Sequence, residues 1–170
     1  MEYHQAIQNR TQQTVAVINA HVPTMQVGLV TAADLTTQSN ALNGLALTRD
    51  SRLADYDGAV NAEAAGFNLL RKLSLALPQS ATGELDEEVP AEAKLLNLLD
   101  AVYSINPNTT EAATQRAQKT KAALLEIDPY LTGLVPPRNA ITSGGRGLPE
   151  LTAALDAQPD LEQNVETEGA

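Results

Sequence analysis

The chain has 170 residues, of which 43% are apolar, and its formal net charge at pH 7 is −10. It contains no cysteine, which excludes disulfides, thiolate nucleophiles and zinc sites built on cysteine. Direct binding of phosphate requires clustered lysine and arginine, so an acidic chain with 11 such residues argues against nucleic acid as a partner.

Neither a targeting segment nor a membrane span is expected from the sequence. The first residues, MEYHQAIQ, lack a basic stretch followed by an apolar one, so we expect no signal peptide. No apolar run reaches the roughly 18 residues that a membrane span requires. The localisation stays unknown on these grounds, and the cytoplasm or an assembled particle is favoured.

Helical spacing of apolar residues predicts a first helix over residues 2–21. Pro23 should end it, since proline interrupts the hydrogen bonds of a helix, and residues 24–30 should form a connector. Thr31 and Asp34 then have the spacing of a capping box, which predicts that a second helix begins here.

A continuous heptad pattern predicts one long central helix over about 32–77, ended by Pro78. Its thirteen inward positions are Ser39, Ala46, Leu53, Val60, Phe67 and Ser74 at a, and Leu35, Leu42, Arg49, Tyr56, Glu63, Leu70 and Leu77 at d. Nine of these thirteen are apolar. Asp57-Gly58 could form a turn, but the heptad phase passes through it unchanged, which favours a continuous helix. Gly44 and Gly58 fall at outward positions, where they do not affect packing.

Shorter elements follow the long helix. Residues 78–90 should be an acidic loop, residues 91–105 a short buried helix, and residues 109–128 a further helix that ends or kinks at Pro129. After Gly133 the apolar pattern weakens, and a short helix is predicted from Pro149 to about Gln158. The predicted class is therefore all-α, an antiparallel bundle over residues 1–132 followed by a flexible Pro/Gly-rich linker, short helix and acidic tail over 133–170. Residues from about Gly147 are expected to lie outside the core.

No residues in the sequence have the spacing of a catalytic, cofactor or metal site. His4 and His21 would lie on different faces of one helix, so they cannot bind one metal ion together. The acidic run from Glu84 to Glu88 lacks the alternating ligands of a calcium loop. The Gly-rich stretch 143–147 lacks the strand and the lysine of a phosphate-binding loop. We therefore expect no catalytic residue, cofactor or metal ligand.

The long helix itself is the candidate site. Arg49 and Glu63 occupy inward positions, where each must reach water or find a partner on another helix or subunit. The first helix has few large apolar residues to cover the stretch near Leu42 and Leu53. These four residues, Leu42, Arg49, Leu53 and Glu63, are the predicted interface.

The expected function is structural: an assembly or adaptor protein that acts through helix packing, as a subunit of a homo- or hetero-oligomer. The partners would be proteins, with self-association favoured. The alternative is a helical bundle that binds a small molecule in a pocket among Tyr56, Phe67, Leu99 and Tyr103. An enzyme is the third and least favoured class.

Overall fold

A computed structural model of the chain describes residues 2–22 and 30–169, with side chains from Gln5 onward. Within these ranges there are five α-helices and no strand: α1 Glu2–His21, α2 Ala32–Glu84, α3 Pro90–Tyr103, α4 Thr110–Thr132 and α5 Leu148–Gly169. The predicted all-α class, a helical bundle with one long central helix, is confirmed. Most of the predicted connector, together with Pro23, lies outside the described residues.

The chain forms two compact units, Met1–Asp57 and Gly58–Ala170. The boundary falls inside α2, which continues through Gly58 as the heptad phase predicted. The sequence had placed the division between residues 132 and 133 instead. In the structure, residues on both sides of that point contribute to the core of the second unit, because Leu131, Ile141 and Leu151 all belong to it.

In the first unit, α2 begins with the predicted capping box. Thr31 donates to the Asp34 carboxylate from its backbone N–H (2.8 Å) and from its hydroxyl (2.6 Å), and the Asp34 N–H donates back to the Thr31 hydroxyl at 3.2 Å. The next turns of α2 and part of α1 border a cleft of about 300 Å³. Ala32 and Ser39 are buried here, so the beginning of α2 is covered.

In the second unit, α2 continues through Pro78, where the sequence predicted its end. Proline has no N–H to donate to the carbonyl of Ser74, four residues earlier. Arg116 of α4 supplies that donor, since its Nε lies 2.9 Å from the Ser74 oxygen. The helix therefore reaches Glu84, and the predicted acidic loop is shorter than expected. Pro90 then occupies the first turn of α3, a position that does not require its N–H.

The core of the second unit contains α2, α3, α4 and α5, together with Ile141 of the segment before α5. Its largest fully buried apolar side chains are Leu70, Leu77, Leu99, Val102, Leu124, Ile127, Leu131 and Leu151. The expectation that residues from about Gly147 lie outside the core is wrong, because Leu151 is fully buried and Leu148 and Leu155 pack against the same cluster. Helix α5 also continues through Pro159 to Gly169, beyond its predicted end.

Candidate protein interface

Three leucines of α2 form an exposed stripe in the first unit. Leu42, Leu45 and Leu53 are 51%, 68% and 60% exposed. At 100° per residue they fall within about 80° of one another around the helix, so they share one face. We call these three residues the leucine stripe. Within residues 2–22 and 30–169, more than half of each of these side chains is open to water.

Arg49 lies on the face of the leucine stripe, between Leu45 and Leu53. Its guanidinium contacts the carboxylate of the adjacent Asp50, with the Nη2 atom at 2.7 Å and Nε at 3.1 Å. The sequence suggested that another helix supplies this partner acid, whereas the structure supplies it from the same helix. Both side chains are about half exposed, so the pair stabilises the fold little. Arg49 can therefore border an apolar contact without being left as an isolated charge.

The structure brings three of the four predicted interface residues together. Leu42, Arg49 and Leu53 share one face of the first unit, whereas Glu63 is half-buried and belongs to the second unit. Leu47 is 63% exposed but points about 140° away from Leu42, so it lies outside the stripe. The apolar surface of this face is suited to contact with another helix.

The second unit contains a buried acidic residue that sequence reasoning missed. Glu92 is 3% exposed. It accepts hydrogen bonds from the Asp86 N–H at 2.8 Å, from the Tyr130 hydroxyl at 3.2 Å and from the Arg138 guanidinium. Arg138 also donates to the carbonyl of Glu84 at the end of α2. This cluster joins α2, α3, α4 and the segment before α5.

The surroundings of Glu92 favour its charged form. The N–H of Asp86 holds the pKa of the Glu92 carboxyl below its ordinary value, and the bonds from Arg138 and Tyr130 add to this effect against the opposing effect of burial. Burial, together with the bond to Glu92, raises the pKa of the Tyr130 hydroxyl. Because the Glu92 carboxylate is paired with Arg138 and accepts two further hydrogen bonds, it serves to hold the surrounding helices together. The sequence signal for it was an acid in the first turn of a helix that begins with proline.

A cleft of about 560 Å³ lies beside this cluster in the second unit. Its lining is mostly polar and comes from the last turns of α2 and from residues 137–142, with Ser80, Glu84, Arg138, Asn139 and Thr142 among the residues. The sequence had suggested a pocket elsewhere. Leu99 of that predicted set is fully buried in the core, and the Tyr103 hydroxyl hydrogen-bonds to Thr82 at 2.9 Å.

Over residues 2–22 and 30–169, no group of three histidine, cysteine, aspartate or glutamate side chains is arranged to hold a metal ion. No helix within this part of the chain is both long and apolar enough to cross a membrane. Comparison of the chain with protein-family models, with curated proteins and with solved structures finds no match.

Proposed function

We propose that the chain is a structural or adaptor protein that assembles through helix packing, with the leucine stripe as its contact surface. The observation that carries this proposal is the exposure of Leu42, Leu45 and Leu53, each more than half open to water on one helix face. Burying a fully exposed leucine is favourable by about 1.5–3 kcal/mol, so a partner that covers the exposed part of all three gains a few kcal/mol before the costs of association.

The position of the stripe separates it from ordinary exposed leucines. Single exposed apolar residues are common on protein surfaces, but adjoining ones form patches that generally mark an interaction site. Here Leu42 and Leu53 occupy inward positions of the heptad pattern, d and a, and Leu45 borders them on the same face, which is a surface that a second helix can cover. The first turns of α2 show the same pattern and are covered, because Ala32 and Ser39 are buried.

The mass of the native particle tests the proposal. We expect light scattering of the purified chain to give a multiple of 18.0 kDa. The double substitution Leu42→Asp, Leu53→Asp should reduce that mass while circular dichroism shows the helicity largely kept, because a carboxylate in an apolar contact opposes association. Leu47→Asp is the matched control, since this leucine is equally exposed but lies off the stripe. A wild-type chain that stays at 18.0 kDa contradicts the proposal.

The cleft beside Arg138 favours a second candidate function, the binding of a small polar molecule. A volume of about 560 Å³ lies within the range of small-molecule sites. Native mass spectrometry of the purified chain would detect a retained ligand as added mass. Gly83→Gln should fill the cleft without disturbing the fold, because no atom lies within 4 Å of a Cβ added at Gly83. Absence of added mass, with equal thermal stability of both proteins in mixtures of small metabolites, contradicts this function.

A further inference from the structure

We infer that the cleft beside Arg138 binds a small organic cation, an alkylammonium ion, in preference to an anion or a neutral molecule. This inference rests on the second candidate function and names the chemical class of the molecule that the same cleft takes. It follows from the charges that border the cleft. The positive charge of Arg138 is balanced by a buried acid, whereas the end of α2 contributes negative charge of its own.

Arg138 supplies a positive charge to the lining, and Glu92 neutralises it. One terminal nitrogen of the guanidinium pairs with the Glu92 carboxylate, and the other donates to the carbonyl of Glu84. Glu92 is ionised at neutral pH, because the Asp86 N–H holds its pKa below the ordinary value. An anion in the cleft would compete for Arg138 and leave a buried carboxylate without its partner, which is costly. The ion pair therefore disfavours an anionic ligand.

The carboxyl end of α2 makes the cleft negative. Ser80, Gly83 and Glu84 all line it, and the last turn of the helix carries no basic residue. Gly83 has no side chain, so it borders the cleft with its backbone, and its carbonyl lies too close to the end of the helix for a helical N–H to reach it. The partial negative charge at the carboxyl end of a helix favours a cation. Over residues 2–22 and 30–169, the Glu84 side chain forms no ion pair that would cancel its charge.

The rest of the lining suits the hydrocarbon part of an alkylammonium ion. Pro137 and Ala140 are exposed apolar residues of the lining, and Asn139 and Thr142 add polar side chains beside them. A volume of about 560 Å³ has room for an organic ion and its hydration. A bare metal ion fits less well, since the described part of the chain has no group of three acidic or histidine side chains arranged to hold one.

Three probes of equal chain length and different charge test the inference: cadaverine, a diamine; pentanediol, which is neutral; and glutarate, a dicarboxylate. Each is titrated at neutral pH and low salt into the isotope-labelled chain, and NMR follows the amide resonances of Gly83, Asn139 and Thr142. We expect cadaverine to shift these amides to saturation, with a Kd about tenfold lower than that of pentanediol, because opposite charges attract across a partly desolvated cleft. Glutarate should not shift them.

Two substitutions separate binding in the cleft from general attraction to an acidic chain. Glu84→Gln should raise the Kd of cadaverine about fivefold, and it keeps the backbone carbonyl to which Arg138 donates. Glu111→Gln is the matched control and should leave the Kd unchanged. Glu111 is an exposed acid in the first turn of α4, about 26 Å along that helix from Asp128, which binds the N–H of Ile141 in the lining.

The outcomes distinguish the inference from the function on which it rests. Pentanediol or glutarate binding at these amides as tightly as cadaverine overturns the inference and leaves the second candidate function standing. An equal loss of affinity in Glu84→Gln and Glu111→Gln overturns it too, because the attraction is then not specific to the cleft. If none of the three probes shifts these amides, the inference is overturned. The second candidate function fails with it when native mass spectrometry and the Gly83→Gln comparison also detect no ligand.

Discussion

The Nε atom of Arg116 donates a hydrogen bond of 2.9 Å to the carbonyl oxygen of Ser74, the oxygen that loses its helical donor because residue 78 is proline. Arg116 is 5% exposed, and its Nη1 atom donates to the Ile105 carbonyl at 2.6 Å. Its guanidinium lies 5.6 Å from the centre of the Tyr103 ring. Burial lowers the pKa of Arg116 from its ordinary value, and two carbonyl dipoles and one ring hold the charge instead of an acid.

Arg116→Met should lower the free energy of unfolding by about 3 kcal/mol, because two carbonyl groups lose their donor. In a Pro78→Ala background the residue at position 78 has an N–H that can bond to the Ser74 carbonyl. The cost of Arg116→Met should then fall by about 1 kcal/mol. Urea unfolding followed by circular dichroism of the four proteins measures this coupling. Strictly additive effects would mean that Arg116 does not compensate for Pro78.

This pair also shows how far the sequence could predict the fold. The heptad pattern located α2 and carried it correctly through Gly58, because a regular apolar repeat is a local signal. Its true end at Glu84 depends on Arg116, which is 42 residues from Ser74 along the chain. No local rule for proline can include a donor that distant. The exposure of Leu42 and Leu53 was predictable for the opposite reason, since both are inward positions of the heptad repeat and the first helix has few large apolar residues, whereas Leu45 lies outside those positions and was missed.

The C-terminal helix should be essential to the core of the second unit. Leu151 is fully buried, so Leu151→Ala should lower the free energy of unfolding by about 2–5 kcal/mol through lost contacts and the cavity left behind. Leu125→Ala provides the control, since Leu125 lies on α4 and is 54% exposed. Its cost should stay near or below 1 kcal/mol. Equal effects of the two substitutions, measured by urea unfolding, would indicate that α5 does not pack as the structure shows.

The packing of α5 on the core was not predicted from the sequence, for a specific reason. Leu148, Leu151 and Leu155 follow helical spacing, but Pro149 and Pro159 and the Gly-rich stretch before them suggested a linker. In the structure, Gly144 and Gly145 adopt positive φ angles of 58° and 73° in a tight turn, closed by the Ser143 N–H bonding to the Arg146 carbonyl at 2.8 Å. The glycines therefore direct the chain back to the core.

Two glycines of α2 should respond differently to alanine. Gly44 has no atom within 4 Å of an added Cβ, so Gly44→Ala should raise the free energy of unfolding by about 0.5–1 kcal/mol through better helix propensity. At Gly66 an added Cβ would lie 2.5 Å from Cδ1 of Leu161 in α5. Gly66→Ala must displace that side chain, so its gain should be smaller or negative. Thermal unfolding of both variants gives the comparison, and an equal gain would contradict the close approach of α5.

Glu92 should make the fold sensitive to acid. Its pKa lies below the ordinary value of 4.5, first because the Asp86 N–H donates to it and then because Arg138 and Tyr130 do. A carboxyl whose pKa is lower in the folded chain stabilises the fold above about pH 4.5, and this contribution is lost as the pH falls through the lowered pKa. Glu92→Gln should therefore lower stability near pH 7 by about 2 kcal/mol and flatten its decline toward acid.

The urea midpoint of the two proteins, followed from about pH 7 to about pH 3, tests this expectation. Glu87→Gln is the matched control, because Glu87 is an exposed acid in the loop before α3 and its substitution should change the free energy of unfolding by no more than about 0.5 kcal/mol. Some acid dependence should persist in Glu92→Gln, since the Gly147 N–H also lowers the pKa of the Glu150 carboxyl. Parallel profiles for wild type and Glu92→Gln would show that the ionised Glu92 does not stabilise the junction of α2, α3 and α4.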